Sequence, residues 1–282
     1  MPNPLLRTPA IAPLDPQRYA PSPLRPVRAK SRRLCASTQV EPHHHEWAQV
    51  AFSATGVTRV TAGRSTYMVP PSRAVWIPPR IEHAVSVVRD ADMRMVYVHQ
   101  PAGTCGPDVA PDRQDAWRRC RVIEVSPLLR ELVRELSEID PLAAPDAADR
   151  HREHCLSLLL LDELRRARPL PLGVALPQDK RLRHLCEAVL DEPTRHDTLD
   201  AWAGGVGASA RTITRLFRDE LGTTFVQWRQ QVLLAKALAL AADRLPMNQI
   251  AAELGYASPS AFSAMVTRTV GMAPGRFLGT TA

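Results

Sequence analysis

The sequence predicts an α+β chain in two parts: a small β-barrel followed by a helix pair, then an all-α domain carrying two helix-turn-helix motifs. Three observations predict this. Short β-like runs punctuated by turns fill residues 47–98, apolar residues at i, i+3, i+4 and i+7 follow from Leu129, and one turn-centred pattern occurs twice after Asp197. A length of 282 residues allows two domains, and 45% hydrophobic residues can fill their cores. No apolar run approaches the roughly 18 residues of a membrane span. The five cysteines (Cys35, Cys105, Cys120, Cys155, Cys186) lack CxxC spacing, so neither a disulfide framework nor a zinc finger is indicated, and a reducing cytoplasm is expected.

The net charge of +7 points toward nucleic acid, but much of it lies in residues 1–34, which hold seven Lys or Arg and one Asp. Eight prolines precede Cys35, so residues 1–35 are expected to be a disordered Pro/Arg-rich tail; a phosphate-contacting arm is the sharper alternative. The prolines oppose the amphipathic helix of a transit peptide, and no apolar core for a secretory signal is present.

Strands are expected at 47–54, 57–61, 65–69, 75–77, 83–88 and 94–98, with Gly56 and Gly63 at turns. Trp76 is expected in the core. Within 36–125, His43-x-His45, then Gln49 and Gly56, and Pro78-Pro79-Arg80-Ile81-Glu82-His83 resemble the two motifs of the cupin superfamily. Two positions depart from the family: Gln49 stands where it has a metal-binding Glu, and Arg80 where it has Gly. Imidazoles at i and i+2 of an extended segment point the same way, so His43 and His45 can join His83 on a divalent metal. The competing reading makes the same residues the lining of a small-molecule pocket.

Residues 100–125 read as a loop or crossover. Ser126-Pro127 then opens a helix with Leu129, Leu132, Val133, Leu136 and Ile139 on one face. A second helix is expected after Pro145, near 148–168, with Cys155, Leu158, Leu159 and Leu161 on its apolar side. The pair, 126–168, is expected to join two copies of the chain, with packing on its own barrel as the alternative. Residues 169–179, PLPLGVALPQD, read as a linker.

In 180–282, a first helix covers 180–190. Gly207 and Gly255 can each take the left-handed backbone that ends a helix, while Ser209 and Ser258 can cap the next. The two copies, 199–221 and 247–270, repeat at about 48 residues and are joined by a Gly- and Pro-free stretch, 224–243, that reads as one helix. That helix spans roughly 30 Å, near the roughly 34 Å between major-groove faces on one side of a duplex. TITRLFRDELGTTFVQWRQ in the first copy and IAAELGYASPSAFS with VGMAPGRF in the second resemble the DNA-binding domain of the AraC/XylS family of bacterial transcription regulators.

Ile213, Leu216 and Phe217 face inward, which turns Arg211, Thr212, Thr214, Arg215 and Arg218 outward or to the flank. The resemblance places Arg211, Thr214 and Arg215 at base-reading positions. In the second copy the outward positions are Ser260, Ser263, Ala264 and Thr267, where the family commonly has Arg and Lys at the last two; only Arg268 is basic. This copy is expected to contribute positioning and shape more than base readout. The resemblance implies a non-enzymatic regulator bound to two adjacent major grooves of double-stranded DNA. It further implies control by a small-molecule or metal effector, and contact with RNA polymerase if the regulator activates. The alternative is a metal-dependent cupin enzyme fused to a DNA-binding module, which needs a metal with an open coordination position.

Overall fold

The computed structural model describes residues 10–13, 17–63, 65–71, 73–142, 146–170 and 173–279. The chain divides into two compact units, Met1–Gly63 with Val69–Leu170, and Arg64–Met68 with Pro171–Ala282.

The strands run β1 (Ala10–Ile11), β2 (Val27–Leu34), β3 (Gln39–His43), β4 (Ala48–Ala62), β5 (Ser65–Val69), β6 (Arg73–Ile77), β7 (His83–Val98) and β8 (Arg121–Glu124). Then come α1 (Pro127–Glu138), α2 (Ala147–Arg166), β9 (Pro169–Leu170) and β10 (Gly173–Ala175). The remaining helices are α3 (Lys180–Asp191), α4 (Leu199–Gly204), α5 (Ala210–Leu221), α6 (Phe225–Ala242), α7 (Met247–Glu253), α8 (Pro259–Val270) and α9 (Pro274–Leu278).

In the first unit, two long strands replace four of the expected short ones. β4 and β7 pair antiparallel from Ala48↔Val98 to Ala62↔His83. Gly56 is therefore not a hairpin turn. It sits at φ +76° inside β4, where register shifts between Ser53 and Val57 mark a bulge, and a Cβ there would stand 2.0 Å from the Asp90 carbonyl oxygen. The polar run at 89–92 looks like a break in sequence, yet Arg89 pairs with Val57 and Asp92 with Thr55. β3 and β2 occupy the other edge of β7 in succession, which brings His43 opposite His83.

The expectation of a disordered tail through Cys35 is corrected: β1 pairs with β3, Gln17–Tyr19 form a 3-10 turn, and 27–34 form β2 against residues 91–98. Arg28 and Lys30 are buried alongside Val27 and Ala29, so charge hides the strand's periodicity. Their aliphatic stems pack while the Lys30 ammonium lies 5.1 Å from the Tyr19 ring centre and 4.8 Å from that of Tyr97. Residues 100–125 are not all loop either: Pro111–Trp117 form a 3-10 helix and 121–124 form β8 against β6. Trp76 is fully buried as expected, edge-on to Trp117 at 4.9 Å, and its indole N–H donates to the Trp117 carbonyl at 2.8 Å.

Ser126 caps α1 by accepting from the Leu129 amide at 2.9 Å. Leu129, Leu132, Val133 and Leu136 are buried, and α1 packs on β2 and α2. On α2 the buried side is Ser157, Leu160, Leu161 and Leu164, which corrects the expected stripe: Cys155, Leu158 and Leu159 face outward. The helix starts at Ala147, one residue ahead of the expected 148, and ends at Arg166, two short of the expected 168.

The second unit is helical. Residues 173–176 are not a free linker, because β10 pairs antiparallel with Ser65–Tyr67 of β5 and Val174 and Leu176 enter the core formed by α3, α5 and α6. The Trp228 indole N–H donates to the Ala175 carbonyl at 2.8 Å. The Glu220 carboxylate accepts from the Gln178 and Asp179 amides, tying the end of α5 to the start of α3. Ile213, Phe217, Trp202, Phe225 and Trp228 fill the space around the first turn, and Ile250, Leu254, Phe262 and Val266 that around the second.

Candidate nucleic-acid interface and ligand pocket

Both turns are built as their residues dictate. Gly207 and Gly255 sit at φ +64° and +76°. Ser209 accepts from the Thr212 amide and Ser258 from the Ala261 amide, both at 3.2 Å, and Pro259 occupies the first position of α8, where no amide donor is needed.

On α5, burial of Ile213 and Phe217 leaves Arg211, Arg215 and Arg218 exposed on one face with Thr214 half-buried beside them. None of these three arginines has an ion-pair partner among the described residues, so their guanidiniums are available to phosphate or base edges. Thr212 lies at the flank, its hydroxyl 3.0 Å from that of Ser209. On α8, Ser260, Ala264, Thr267 and Arg268 are exposed and Ser263 is half-buried. α6, with 18 residues and both signs of a capping box at Thr224 and Gln227, spans roughly 27 Å between the motifs.

The histidines also come together. The rings of His43 and His83 lie 4.3 Å apart, His45 and His83 5.1 Å, and His43 and His45 6.2 Å. Each Nδ1 meets a backbone carbonyl: His43 that of Glu41 at 2.8 Å, His45 that of Trp47 at 2.8 Å, His83 that of Ile81 at 2.9 Å. A carbonyl only accepts, so Nδ1 carries the proton in His43 and His83, whose Nε2 atoms present lone pairs, while His45 meets an acceptor at each ring nitrogen, the Trp47 carbonyl and Gln49 Oε1. Trp47 stacks on His45 at 5.1 Å, and Tyr97 stands edge-on to both. Burial holds the His83 imidazole down to about 3 and lowers His43 and His45 as well, with Lys30 adding to the fall in the latter two.

These residues do not fit a metal. Among the described residues, no group of three or more His, Cys, Asp or Glu side chains is arranged to hold one. His45 Nε2 lies 2.8 Å from Gln49 Oε1, which engages it, no carboxylate joins the set among the described residues, and the Lys30 cation acts on it. Sequence reasoning missed Lys30, Met93, Met95 and Tyr97, which line the adjoining cavity with His43 and Gln49. Their strand alternation carried the signal, since residues 93, 95 and 97 share one face of β7.

A sheet-rich unit with a buried histidine cluster, followed along the chain by a helical unit with two capped helix-turn-helix motifs, fits a DNA-binding regulator with a ligand-binding domain. The sequence matches the AraC-like ligand binding domain over residues 33–161 and a helix-turn-helix domain over residues 202–280. It is 29% identical over 236 residues to the HTH-type transcriptional regulator NimR of Escherichia coli K12, covering 84% of this chain and 81% of the relative. The arabinose operon regulatory protein of Salmonella typhimurium LT2 is 27% identical over 126 residues, 43% of this chain and 45% of that protein. Among solved structures, ToxT from Vibrio cholerae O395, bound to (E)-4-(8-methylnaphthalen-1-yl)but-3-enoic acid, aligns over 90% of this chain and 98% of its own at 12% identity and a TM-score of 0.37. The chain thus carries an AraC-like ligand binding domain followed by a helix-turn-helix domain, the make-up of an AraC-type DNA-binding transcription regulator. Among the described residues, no helix is long and apolar enough to cross a membrane.

Proposed function

We propose that this regulator reads bases mainly through α5 and positions itself through α8. The observation that carries the reading is the set of Arg211, Arg215 and Arg218, exposed on one face of a capped helix and without ion-pair partners among the described residues. Arg215 and Arg211 can each make bidentate contacts to guanine, Thr214 supplies a hydroxyl beside them, and Arg218 suits phosphate. Thr212 serves the cap more than the bases, given its bond to Ser209. Ser260, Ser263, Thr267 and Arg268 offer hydroxyls and one cation, enough for backbone contacts and shape. The domain boundaries we assign are a cupin-like sensor beginning near Val27, a helix pair at 126–168 and a DNA-binding domain beginning near Gly173.

The effector is a small molecule held in the sheet-rich domain beside His43, His45, Gln49 and His83. Two copies of the chain pair through the outward side of α2, where Leu158 and Leu159 are 50% and 51% exposed. Promoter DNA places the working protein in the cytoplasm, with RNA polymerase as its further partner where it activates. Footprinting upstream of neighbouring divergent genes tests the reading. Two protected half-sites that shift with a candidate effector support it, and no protected site overturns it.

A further inference from the structure

The outward face of α2 carries two metal-ligating side chains beside its exposed leucines. His151 and Cys155 sit one helical turn apart, both exposed, and Cys155 Sγ lies 3.6 Å from His151 Nε2. Leu158 and Leu159 continue the same stripe at i+7 and i+8 from His151. In tetrahedral sites zinc binds thiolate sulfur at about 2.3 Å and imidazole nitrogen at about 2.0 to 2.1 Å, so two such ligands on one ion stand about 3.5 Å apart. The His151 and Cys155 side chains already have that separation. Two ligands leave half of the coordination sphere open. His154 is exposed next to Cys155, yet among the described residues no group of three His, Cys, Asp or Glu side chains is arranged to hold an ion. The neighbouring carboxylates are engaged elsewhere: Glu153 is buried on the opposite face and paired with Arg25 at 2.9 Å, and Glu135 of α1 holds Arg134 and Arg152.

We infer that a second copy of the chain completes this half-site: two α2 helices cross so that His151 and Cys155 of each hold one zinc ion between them. The inference rests on the reading that α2 pairs two copies. The two-fold axis then passes through the ion, and the ligand set becomes two thiolates and two imidazoles, which favours a borderline-soft cation over magnesium or calcium. Each thiol releases its proton to solvent as it binds, so the two thiolates balance the charge of the divalent ion. Leu158 lies three residues beyond Cys155, within one turn, so the crossing that closes the coordination sphere also covers apolar surface left exposed in the single chain. Zinc bound only by the paired form shifts the chain toward that form by mass action.

Cobalt(II) serves as the coloured probe on the full-length protein, stripped with a chelator and kept reduced with a phosphine. The expected result is one cobalt per two chains, with the visible bands of tetrahedral cobalt and a thiolate charge-transfer band. Both signals should vanish in His151→Ala and in Cys155→Ser, and persist in Cys35→Ser, whose thiol is exposed on another part of the fold. Cys155→His should keep the tetrahedral bands and lose the charge-transfer band. His151 and Cys155 are exposed, so these variants should melt with the wild type. In sedimentation, zinc should tighten self-association about tenfold or more over the chelated protein, with no such gain in Cys155→Ser. One cobalt per chain, a thiolate band that survives without Cys155, or no bound cobalt overturns the shared site. Leu158→Asp with Leu159→Asp separates the two readings. Wild-type dimers that this variant breaks, with no cobalt bound, sink the ion and leave pairing through α2 standing, whereas a wild-type chain that stays monomeric with and without cobalt sinks both.

Discussion

Acid should unfold the sheet-rich domain of this regulator earlier than a domain of its size without buried imidazoles, and His83 should account for a measurable share. In the folded chain burial holds His83 down to about 3 from 6.5. Between those values the unfolded chain binds a proton that the folded chain refuses, so stability is complete above pH 6.5 and is lost as pH falls toward 3. One unit below the unfolded value, at about pH 5.5, the loss from His83 alone is about 1.4 kcal/mol. His43 and His45, lowered in the same direction, add to it. The perturbation is His83→Leu, which removes the titrating group and fills its place with an apolar side chain. Urea unfolding of the full chain at about pH 7.5 and 5.5, read by hydrogen exchange in peptides from β3, β4 and β7, isolates this domain. The wild type should lose at least about 1.4 kcal/mol more than His83→Leu between the two conditions. Equal pH sensitivity in the two proteins would refute the burial of a neutral His83.

Three further outcomes follow from the packing. Leu158→Asp with Leu159→Asp should convert dimers to monomers in light scattering while leaving the melting temperature within a few degrees, since both side chains are half-exposed; an unchanged oligomer sinks the proposed interface. Leu132 and Leu136 are unsuited to that test, because both are core residues and aspartate there would unfold the domain. Gly56→Ala should cost about 1 to 3 kcal/mol from its left-handed backbone alone, and more from the clash with the Asp90 carbonyl; a wild-type thermal melt contradicts the bulge. Trp228→Phe keeps the ring but drops the bond to Ala175, and should lower the stability of the helical unit by about 1 kcal/mol in denaturant melts.

The helix-turn-helix pair was legible because its signals are local. A glycine at positive φ, a serine cap two or three residues on and an apolar repeat of three and four define each motif with no reference to the rest of the chain. The sheet-rich unit's position in the chain and its histidines were legible too, but its connectivity was not. Gly56 and the 89–92 run read as turns because a bulge and a turn draw on the same residues, and only the partner strand distinguishes them. β2 was invisible for a different reason: Arg28 and Lys30 are buried, Lys30 against the Tyr19 and Tyr97 rings, which no polarity pattern reveals. On α2, the run Leu158-Leu159-Leu160-Leu161 covers most of the helix circumference, so spacing alone could not say which two leucines face the fold. Residues 173–176 looked like a linker because three residues of β10 are too few to declare themselves, and β5 lies about a hundred residues earlier.

The most direct test of the central claim is a binding selection from randomised DNA, run with wild type, Arg215→Ala and Ser263→Ala at one fixed salt concentration because phosphate contacts make affinity salt-dependent. A bidentate arginine–guanine contact is worth about 1 to 3 kcal/mol of discrimination. Arg215→Ala should therefore erase base preference at one or two positions of a single half-site and leave non-specific binding largely intact, while Ser263→Ala leaves the selected motif nearly unchanged. A motif scrambled more by Ser263→Ala than by Arg215→Ala would contradict the division of labour between α5 and α8.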